Sequence, residues 1–198
     1  MSGTDSFAVA LLAGGRSRRF GSDKALHVPP GETEPMWRLQ LAKLMALGAS
    51  EVIVSVGGST SFPGGLPSEA VRMVPDELPD QGPLGGLATV LGAIRSERVL
   101  VLGVDMPAVT VEGMRRLLAS GGLGNGRGLV PHLGGRWEPL LAIYPRVMKG
   151  VADQRLAEGK RSLQGFVDAG VASGWIDPWP VPPACAGWFA NWNEPGPV

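Results

Sequence analysis

A glycine-rich segment with several cations follows the first apolar run of the sequence. It reads Leu12-Ala13-Gly14-Gly15-Arg16-Ser17-Arg18-Arg19-Phe20-Gly21-Ser22-Asp23-Lys24. Glycines let the backbone approach a ligand closely, so that successive N–H groups can point at one anion. Arg19 offers a planar fork and Lys24 a compact positive charge, and together they can neutralise a triphosphate. The alternative is a solvated basic turn whose glycines serve only the geometry of the chain.

Two familiar phosphate-binding loops do not match this spacing. A P-loop has a glycine directly before its lysine, whereas Asp23 precedes Lys24 here. A dinucleotide-binding loop has one residue between its first two glycines, whereas Gly14 and Gly15 are adjacent. If the segment binds phosphates, it does so by a different arrangement.

A carboxylate follows the strongest predicted strand, Val99–Val104, in the sequence Asp105-Met106-Pro107. Mg²⁺ prefers one or two carboxylates, with water and substrate phosphates completing its octahedron. Asp105 alone can therefore be the protein's contribution to a magnesium site. An aspartate that only starts a turn explains the same residue.

A polar loop, Asp76–Gln81, runs into a predicted helix that begins Pro83-Leu84-Gly85-Gly86. Two glycines in the first turn of a helix cost about 1 kcal/mol each relative to alanine. A ligand or a backbone packed closely against Gly85 and Gly86 explains that cost. The acidic residues of the loop are, taken alone, also consistent with ordinary solvated charges.

The order of apolar runs and helical periods predicts the elements that position these residues. Strands are predicted at 7–13, Glu51–Val56, Ala70–Val74 and Val99–Val104, and helices at Met36–Leu47, Pro83–Arg95 and Thr110–Ser120. This β-α-β-α order predicts an α/β fold with three αβα layers and a mostly parallel sheet. Ligands of such sheets bind at the carboxyl ends of the strands.

The second half of the chain has a less regular pattern. Strands are predicted at Gly128–Pro131 and Pro139–Tyr144, on either side of a Gly134-Gly135 turn, and at Val171–Asp177. Helices are predicted at Val147–Glu158 and Ser162–Ala169, and a Pro178–Pro183 stretch precedes a tryptophan-rich tail. With 198 residues and no evident linker, the chain is predicted to form a single domain, 1–198.

Composition excludes several classes of function. The 18 basic and 18 acidic side chains balance, so the chain lacks a long-range field for nucleic acid or an anionic membrane. No apolar run approaches the ~20 residues of a membrane span. Cys185 is the only cysteine, which rules out an internal disulfide, and two histidines are too few for a His-rich zinc site. The apolar run precedes the arginine cluster, the reverse of a secretory signal, so we expect a soluble cytoplasmic protein.

The motifs resemble those of the molybdenum cofactor guanylyltransferases. The glycine-rich segment is similar to their nucleotide-binding loop, although Phe20 stands where these proteins usually have methionine. Gly82–Gly86 is similar to their Gly-Pro-Leu-Ala/Gly-Gly segment, and Asp105-Met106-Pro107 to their metal-binding Asp-x-Pro. The resemblance implies a nucleotide-diphospho-sugar transferase (Rossmann-like) fold.

The resemblance also implies roles for individual residues. Arg19, Lys24 and Asp105 are the implied catalytic residues, and Asp105 is the implied Mg²⁺ ligand. Ser55 stands where relatives often carry a nucleotide-binding asparagine. The implied nucleotide contacts are Leu12, Ala13, Gly14, Gly15, Lys24, Ser55, Asp76 and Gly85.

The chain's end resembles the family's Asn-x-Asn-Thr-Pro motif, which borders the second-substrate pocket. Asn191 and Asn193 are its amides, and Glu194 replaces the usual threonine. A pair of asparagines fixing a surface turn is the alternative. Arg136, Lys160 and Arg161 are either acceptor-phosphate contacts or solvent-facing charges. The six tryptophans can stack on a flat pterin or pack the core.

The implied reaction is Mg²⁺-dependent transfer of GMP from GTP to molybdopterin or its molybdenum form, with release of pyrophosphate. Residues 1–120 would bind the nucleotide and 121–198 the acceptor. The second glycine of Leu12-Ala13-Gly14-Gly15 favours GTP, since relatives that use CTP tend to have alanine there. Molybdoenzyme apoproteins or other cofactor-biosynthesis proteins are further expected partners. A cytidylyltransferase, a sugar-phosphate nucleotidylyltransferase and a non-catalytic cofactor-delivery protein are the alternatives.

Overall fold

A single mixed sheet organises the computed structural model, which describes residues 6–13, 24–57, 62, 65–121 and 126–189. Its strands are β1 (Ala8–Leu12), β2 (Glu51–Val56), β3 (Val71–Pro75), β4 (Arg98–Gly103), β5 (Gly128–Leu133), β6 (Arg136–Trp137), β7 (Leu141–Pro145) and β8 (Ile176–Pro180). The α-helices are α1 (Met36–Met45), α2 (Pro83–Ala93), α3 (Val111–Ser120), α4 (Met148–Ala157) and α5 (Leu163–Ala172). Two 3₁₀ segments cover Lys24–Leu26 and Pro183–Phe189.

The strands lie in the order β3-β2-β1-β4-β7-β5-β6, and β8 pairs with β5. Strands β1 to β4 are mutually parallel, and β7 is antiparallel to both β4 and β5. The register aligns Leu12 with Ser55 on one side and with Gly103 on the other. The carboxyl ends of the four parallel strands therefore meet at one edge, which we call the carboxyl edge.

Helices cover both faces of the sheet because its central strands are apolar on both faces. Alternate residues of a strand point to opposite sides. Val9 and Leu11 pack into one core with side chains of α1 and α3, while Ala8 and Ala10 pack into a second core with α2, α4 and α5. The predicted three-layer αβα arrangement with a mostly parallel sheet is confirmed.

Helix boundaries follow local chemistry. Thr110, the first residue of the predicted helix Thr110–Ser120, is the cap of α3, since its hydroxyl accepts a hydrogen bond from the Gly113 N–H at 3.0 Å. Pro83 occupies the first turn of α2, where its missing N–H costs nothing. None of the described helices is long and apolar enough to cross a membrane.

Two predictions for the second half are wrong. The strand predicted at Val171–Asp177 begins later, as β8 at Ile176, because residues 171 and 172 still belong to α5. Gly174, with φ +74°, turns the chain between α5 and β8. Pro178 and Pro180 are tolerated in β8 because, among the described strands, β8 pairs on one side only, with β5, so their missing N–H groups need no partner on the other side. The second misplaced prediction is the strand at Pro139–Tyr144 directly after the Gly134-Gly135 turn. The turn leads instead into the short strand β6, and Glu138–Leu140 separate β6 from β7.

Candidate active site

Hydrogen bonds hold the chain together just past the carboxyl edge. The Ala13 N–H donates to the Ser55 carbonyl at 3.0 Å, and the Val104 N–H donates to the Leu12 carbonyl at 3.2 Å. The ends of β1, β2 and β4 therefore remain adjacent beyond the strands themselves. Leu12 and Ala13, two predicted nucleotide contacts, lie at the centre of this edge.

Ser55 and Asp76 form the most direct polar contact at the edge. The Ser55 hydroxyl donates to Asp76 Oδ1 at 2.7 Å, and Ser55 is only 1% exposed. The Asp76 N–H donates to the Val56 carbonyl at 3.0 Å, which continues the β2–β3 pairing by one residue. Burial raises the pKa of Asp76, and the hydrogen bond from Ser55 opposes that rise. The edge thus presents an oriented, half-buried carboxylate.

The start of α2 closes over this pair. A Cβ atom added at Gly86 would lie 3.0 Å from Ser55 Oγ, 3.4 Å from Asp76 Oδ1 and 3.7 Å from the Leu12 side chain. The sequence analysis singled out Gly85 and Gly86 for close packing but gave only Gly85 as a nucleotide contact, whereas Gly86 is the glycine that lies beside Ser55 and Asp76. A Cβ at Gly85 would instead lie 2.8 Å from Gln81 Cβ, so the preceding loop explains that glycine.

Substituting alanine at Gly86 should weaken binding of GTP, the substrate that the sequence resemblance implies, severalfold, because the methyl group displaces a hydroxyl that is fixed by its bond to Asp76. The matched control is Gly150→Ala in α4, where nothing lies within 4 Å of the added methyl. That control should gain up to about 1 kcal/mol in free energy of unfolding from helix propensity. Calorimetric GTP titration and chemical unfolding measure both effects. Equal GTP affinities for the two variants would show that GTP binding does not depend on the space that Gly86 leaves beside Ser55 and Asp76.

Asp105 lies at the same edge, two residues after β4 ends at Gly103. Its Oδ1 is 3.2 Å from the position of a Cβ added at Gly103, and Leu140 Cβ is 3.1 Å from that position. The Gly103 N–H donates to the Leu140 carbonyl at 2.7 Å. The segment before β7 therefore packs directly beside the Asp105 carboxylate, and the glycine leaves room for both.

Neighbouring residues anchor the Asp105-Met106-Pro107 turn. Met106 is 1% exposed and belongs to the core shared with α1 and α3. Lys43 of α1 donates from Nζ to the Pro107 carbonyl at 2.9 Å. Burial lowers the pKa of Lys43. The backbone that carries Asp105 is thus held from two sides.

The structure brings together Leu12, Ala13, Ser55, Asp76 and Asp105 at the carboxyl edge. Several other predicted site residues lie outside the described part of the chain: Gly14, Gly15, Arg19, Asn191 and Asn193. Lys24 begins a 3₁₀ segment, but its side chain is also outside that part. The roles of these residues stay predictions.

A second group of residues fixes the turn beside Asp105. The Gln164 side chain bonds both main-chain groups of Trp137, at 3.0 Å to N and 2.8 Å to O, and Asp168 accepts from Trp137 Nε1 at 2.7 Å. The buried Tyr144 hydroxyl donates to the Pro139 carbonyl at 2.8 Å. Burial raises the pKa of Glu138 in this segment, and the nearby Arg136 opposes the rise. The turn is therefore rigidly attached to α5 and β7.

Packing accounts for several of the tryptophans. Trp37 is fully buried and stacks on Phe62 with ring centroids 4.3 Å apart. Trp179 and Trp188 stack at 6.3 Å. The cations proposed as phosphate contacts, Arg136, Lys160 and Arg161, are exposed, and Lys160 pairs with Glu158 at 2.8 Å.

The donor chemistry of the edge fits a magnesium ion bound mainly by substrate. Among residues 6–13, 24–57, 62, 65–121 and 126–189, no cluster of three or more His, Cys, Asp or Glu side chains is arranged to hold a metal. Asp105 supplies one partly exposed carboxylate. A hard cation that retains water and phosphate ligands needs only one or two such groups from the protein.

Comparison with known proteins gives consistent similarities. The sequence pattern of the family described as "MobA-like NTP transferase domain" matches residues 9–171. The chain is 36% identical over 193 residues to a protein of Opitutus terrae named "Probable molybdenum cofactor guanylyltransferase", covering 96% of this chain and 92% of that one. It is 36% identical over 176 residues to a protein of the same name from Methanothermobacter thermautotrophicus, covering 85% of each.

Solved structures show the same fold. Molybdopterin-guanine dinucleotide biosynthesis protein A from Archaeoglobus fulgidus superposes with a TM-score of 0.73 at 20% identity, over 95% of this chain and 93% of that one. The 2-C-methyl-D-erythritol 4-phosphate cytidylyltransferase of Thermus thermophilus superposes with a TM-score of 0.65 at 16% identity, over 94% and 92%. At these identities the likeness concerns the fold alone.

Proposed function

The chain belongs to the MobA-like NTP transferase domain family, and from this premise we propose that it is a molybdenum cofactor guanylyltransferase. It transfers GMP from GTP to the terminal phosphate of molybdopterin, or of its molybdenum form, and releases pyrophosphate. One observation carries the proposal: Asp76 and Asp105 stand at the same sheet edge in a chain that resembles proteins of that name over nearly its whole length.

The reaction is an in-line displacement. An oxygen of the acceptor phosphate forms a bond to the α-phosphorus of GTP, and the bond from that phosphorus to the bridging oxygen of the β-phosphate breaks. The electron pair leaves with pyrophosphate. Such a transfer needs positioning and charge neutralisation more than a protein nucleophile.

Asp105 is the residue that would hold Mg²⁺, and the ion, when bound, supplies positive charge to the phosphate oxygens. The anchored turn around Asp105 keeps its carboxylate at the end of β4. Asp76 accepts a hydrogen bond from the nucleoside part of GTP. Leu12 and Ala13 place the entry to the glycine-rich segment beside both carboxylates.

Other residues enter the proposal from the sequence. The N–H groups of Gly14 and Gly15 cradle the nucleotide, and Arg19 and Lys24 offset charge on the α-phosphate and the leaving pyrophosphate. Gly85 lies in the first turn of α2, within the half of the chain that is proposed to bind the nucleotide. Asn191 and Asn193 border the acceptor pocket.

The proposal also assigns a substrate to each half of the chain and a compartment to the protein. Residues 1–120 bind the nucleotide and residues 121–198 the acceptor. We further propose that the protein acts in the cytoplasm, as expected from the sequence. Molybdoenzyme apoproteins or other proteins of cofactor biosynthesis are its further partners.

Pyrophosphate release from GTP, molybdopterin and Mg²⁺ tests the function directly. We expect turnover with GTP that exceeds turnover with CTP, UTP or ATP, and none without the acceptor. Preference for CTP would replace the proposal with a cytidylyltransferase. GTP binding without pyrophosphate release would indicate a cofactor-delivery protein.

A further inference from the structure

The Ser55 hydroxyl already donates its hydrogen bond to another residue of the protein. It carries one proton, and that proton is donated to Asp76 Oδ1 at 2.7 Å. Ser55 is 1% exposed, and α2 packs so closely against it that a Cβ added at Gly86 would lie 3.0 Å from Ser55 Oγ. Ser55 therefore has no proton left to donate to a nucleotide while this bond exists.

The backbone on both sides of the Asp76 carboxylate is also fixed. The Asp76 N–H donates to the Val56 carbonyl at 3.0 Å. The next N–H, of Glu77, donates to Thr89 Oγ1 at 3.0 Å, and that buried hydroxyl donates to the Gly85 carbonyl at 3.1 Å. The main chain is thus tied to β2 and to α2, and the freedom that remains is rotation of the Asp76 side chain.

We propose that Ser55 is a positioning residue that fixes one oxygen of Asp76 so that the other oxygen binds the nucleotide. Asp76 Oδ2 accepts no hydrogen bond from any residue that the structure describes. That oxygen is available to an N–H or O–H group of the nucleoside part of GTP. The inference rests on the proposed function, because that function places the nucleoside against Asp76.

Holding the carboxylate in advance strengthens binding because the cost of immobilising a side chain is met before the ligand arrives. A hydroxyl on β2 is suited to this task since β2 is paired on both sides, with β1 and β3, and is buried from Ile53 to Val56. The shorter serine, at a position where relatives often have asparagine, thereby acts through Asp76 instead of reaching the nucleotide itself.

A double-mutant cycle on the whole chain tests the inference by calorimetric titration with GTP and Mg²⁺. Ser55→Ala should weaken GTP binding about five- to tenfold, the range for one lost hydrogen bond. In an Asp76→Asn background, Ser55→Ala should cause no further loss, because its effect acts through the carboxylate. An equal loss in both backgrounds would overturn the inference and indicate direct contact of Ser55 with the nucleotide.

Ser96 provides a matched control at the opposite end of β2. Its hydroxyl donates to Glu51 Oε1 at 2.7 Å, and Ser96 is 6% exposed, so Ser96→Ala removes the same kind of bond away from the site. Ser96→Ala should leave GTP affinity unchanged. A loss equal to that of Ser55→Ala would also overturn the inference.

A measurement that needs no ligand separates this inference from the proposed function. Carbon NMR of the Asp76 carboxyl should show a higher pKa in Ser55→Ala than in the unmodified chain, since the lost hydrogen bond favours the ionised form. An unchanged pKa would show that Ser55 does not hold the carboxylate. If the unmodified chain binds no GTP, the proposed function fails, and the nucleotide part of the inference fails with it.

Discussion

Replacing Asp105 by alanine is expected to lower the rate of GMP transfer by at least about 10³-fold while the chain stays folded. The carboxylate is the proposed ligand of Mg²⁺, and losing it removes charge stabilisation worth several kcal/mol from the transition state. Asp105 is partly exposed, so its removal opens no buried cavity. Initial rates of pyrophosphate release, with circular dichroism to monitor folding, measure the two outcomes.

Asp177→Ala is the matched control for this prediction. Asp177 pairs with Arg127 at 2.7 Å and lies near the amino end of the sheet, where β8 begins beside β5. An exposed ion pair of this kind contributes about 0–1 kcal/mol to stability. The control should keep its activity. Transfer that continues in Asp105→Ala with Mg²⁺ present would refute the metal role of Asp105.

Asp76→Asn is expected to weaken GTP binding by about 10- to 100-fold, because the one amide oxygen of asparagine takes the hydrogen bond from Ser55 and an NH2 group, which cannot accept, replaces the oxygen that faces the nucleotide. The same change should increase the free energy of unfolding at neutral pH. Burial raises the pKa of Asp76, which means that the folded state disfavours the ionised carboxylate. Asparagine carries no such charge, and its amide oxygen can still accept from Ser55.

The sign of the pH dependence follows from linkage. A raised pKa in the folded state contributes stability that is complete below the unfolded pKa and is lost as the pH rises through the folded pKa. The gain from Asp76→Asn should therefore appear at neutral pH and shrink as the pH falls below the unfolded aspartate pKa. Urea unfolding of both chains across this range measures it. A variant less stable than the unmodified chain at neutral pH would contradict the prediction.

The central strands were predictable because a parallel sheet covered on both faces requires apolar runs. The β2 strand was predicted with its observed bounds, Glu51–Val56, and the helix predicted at Thr110–Ser120 is α3 with its cap residue Thr110. Asp105 was a candidate because it follows a predicted strand, and ligands of parallel sheets bind at the carboxyl ends of the strands. The family resemblance, not local pattern, selected Asp76 and favoured the metal role of Asp105 over a simple turn.

Other features depended on contacts between distant residues. The hydrogen bond between Ser55 and Asp76 joins residues 21 positions apart. Nothing in the sequence indicated that the Ser55 hydroxyl would donate its proton to the Asp76 carboxylate. Gly86 had a visible signal, but its neighbours Leu12, Ser55 and Asp76 come from three distant segments of the chain. The β8 strand was misplaced because its prolines indicate a loop until the sheet position of the strand is known.

A crystal structure of the chain with Mg²⁺ and a non-hydrolysable GTP analogue tests the central claim most directly. We predict that the nucleoside lies against Asp76 and that the metal joins the triphosphate to Asp105, with the Lys24 ammonium in the same cleft. A nucleotide bound away from the carboxyl edge, or Lys24 and Asp105 facing opposite sides of the molecule, would contradict the account.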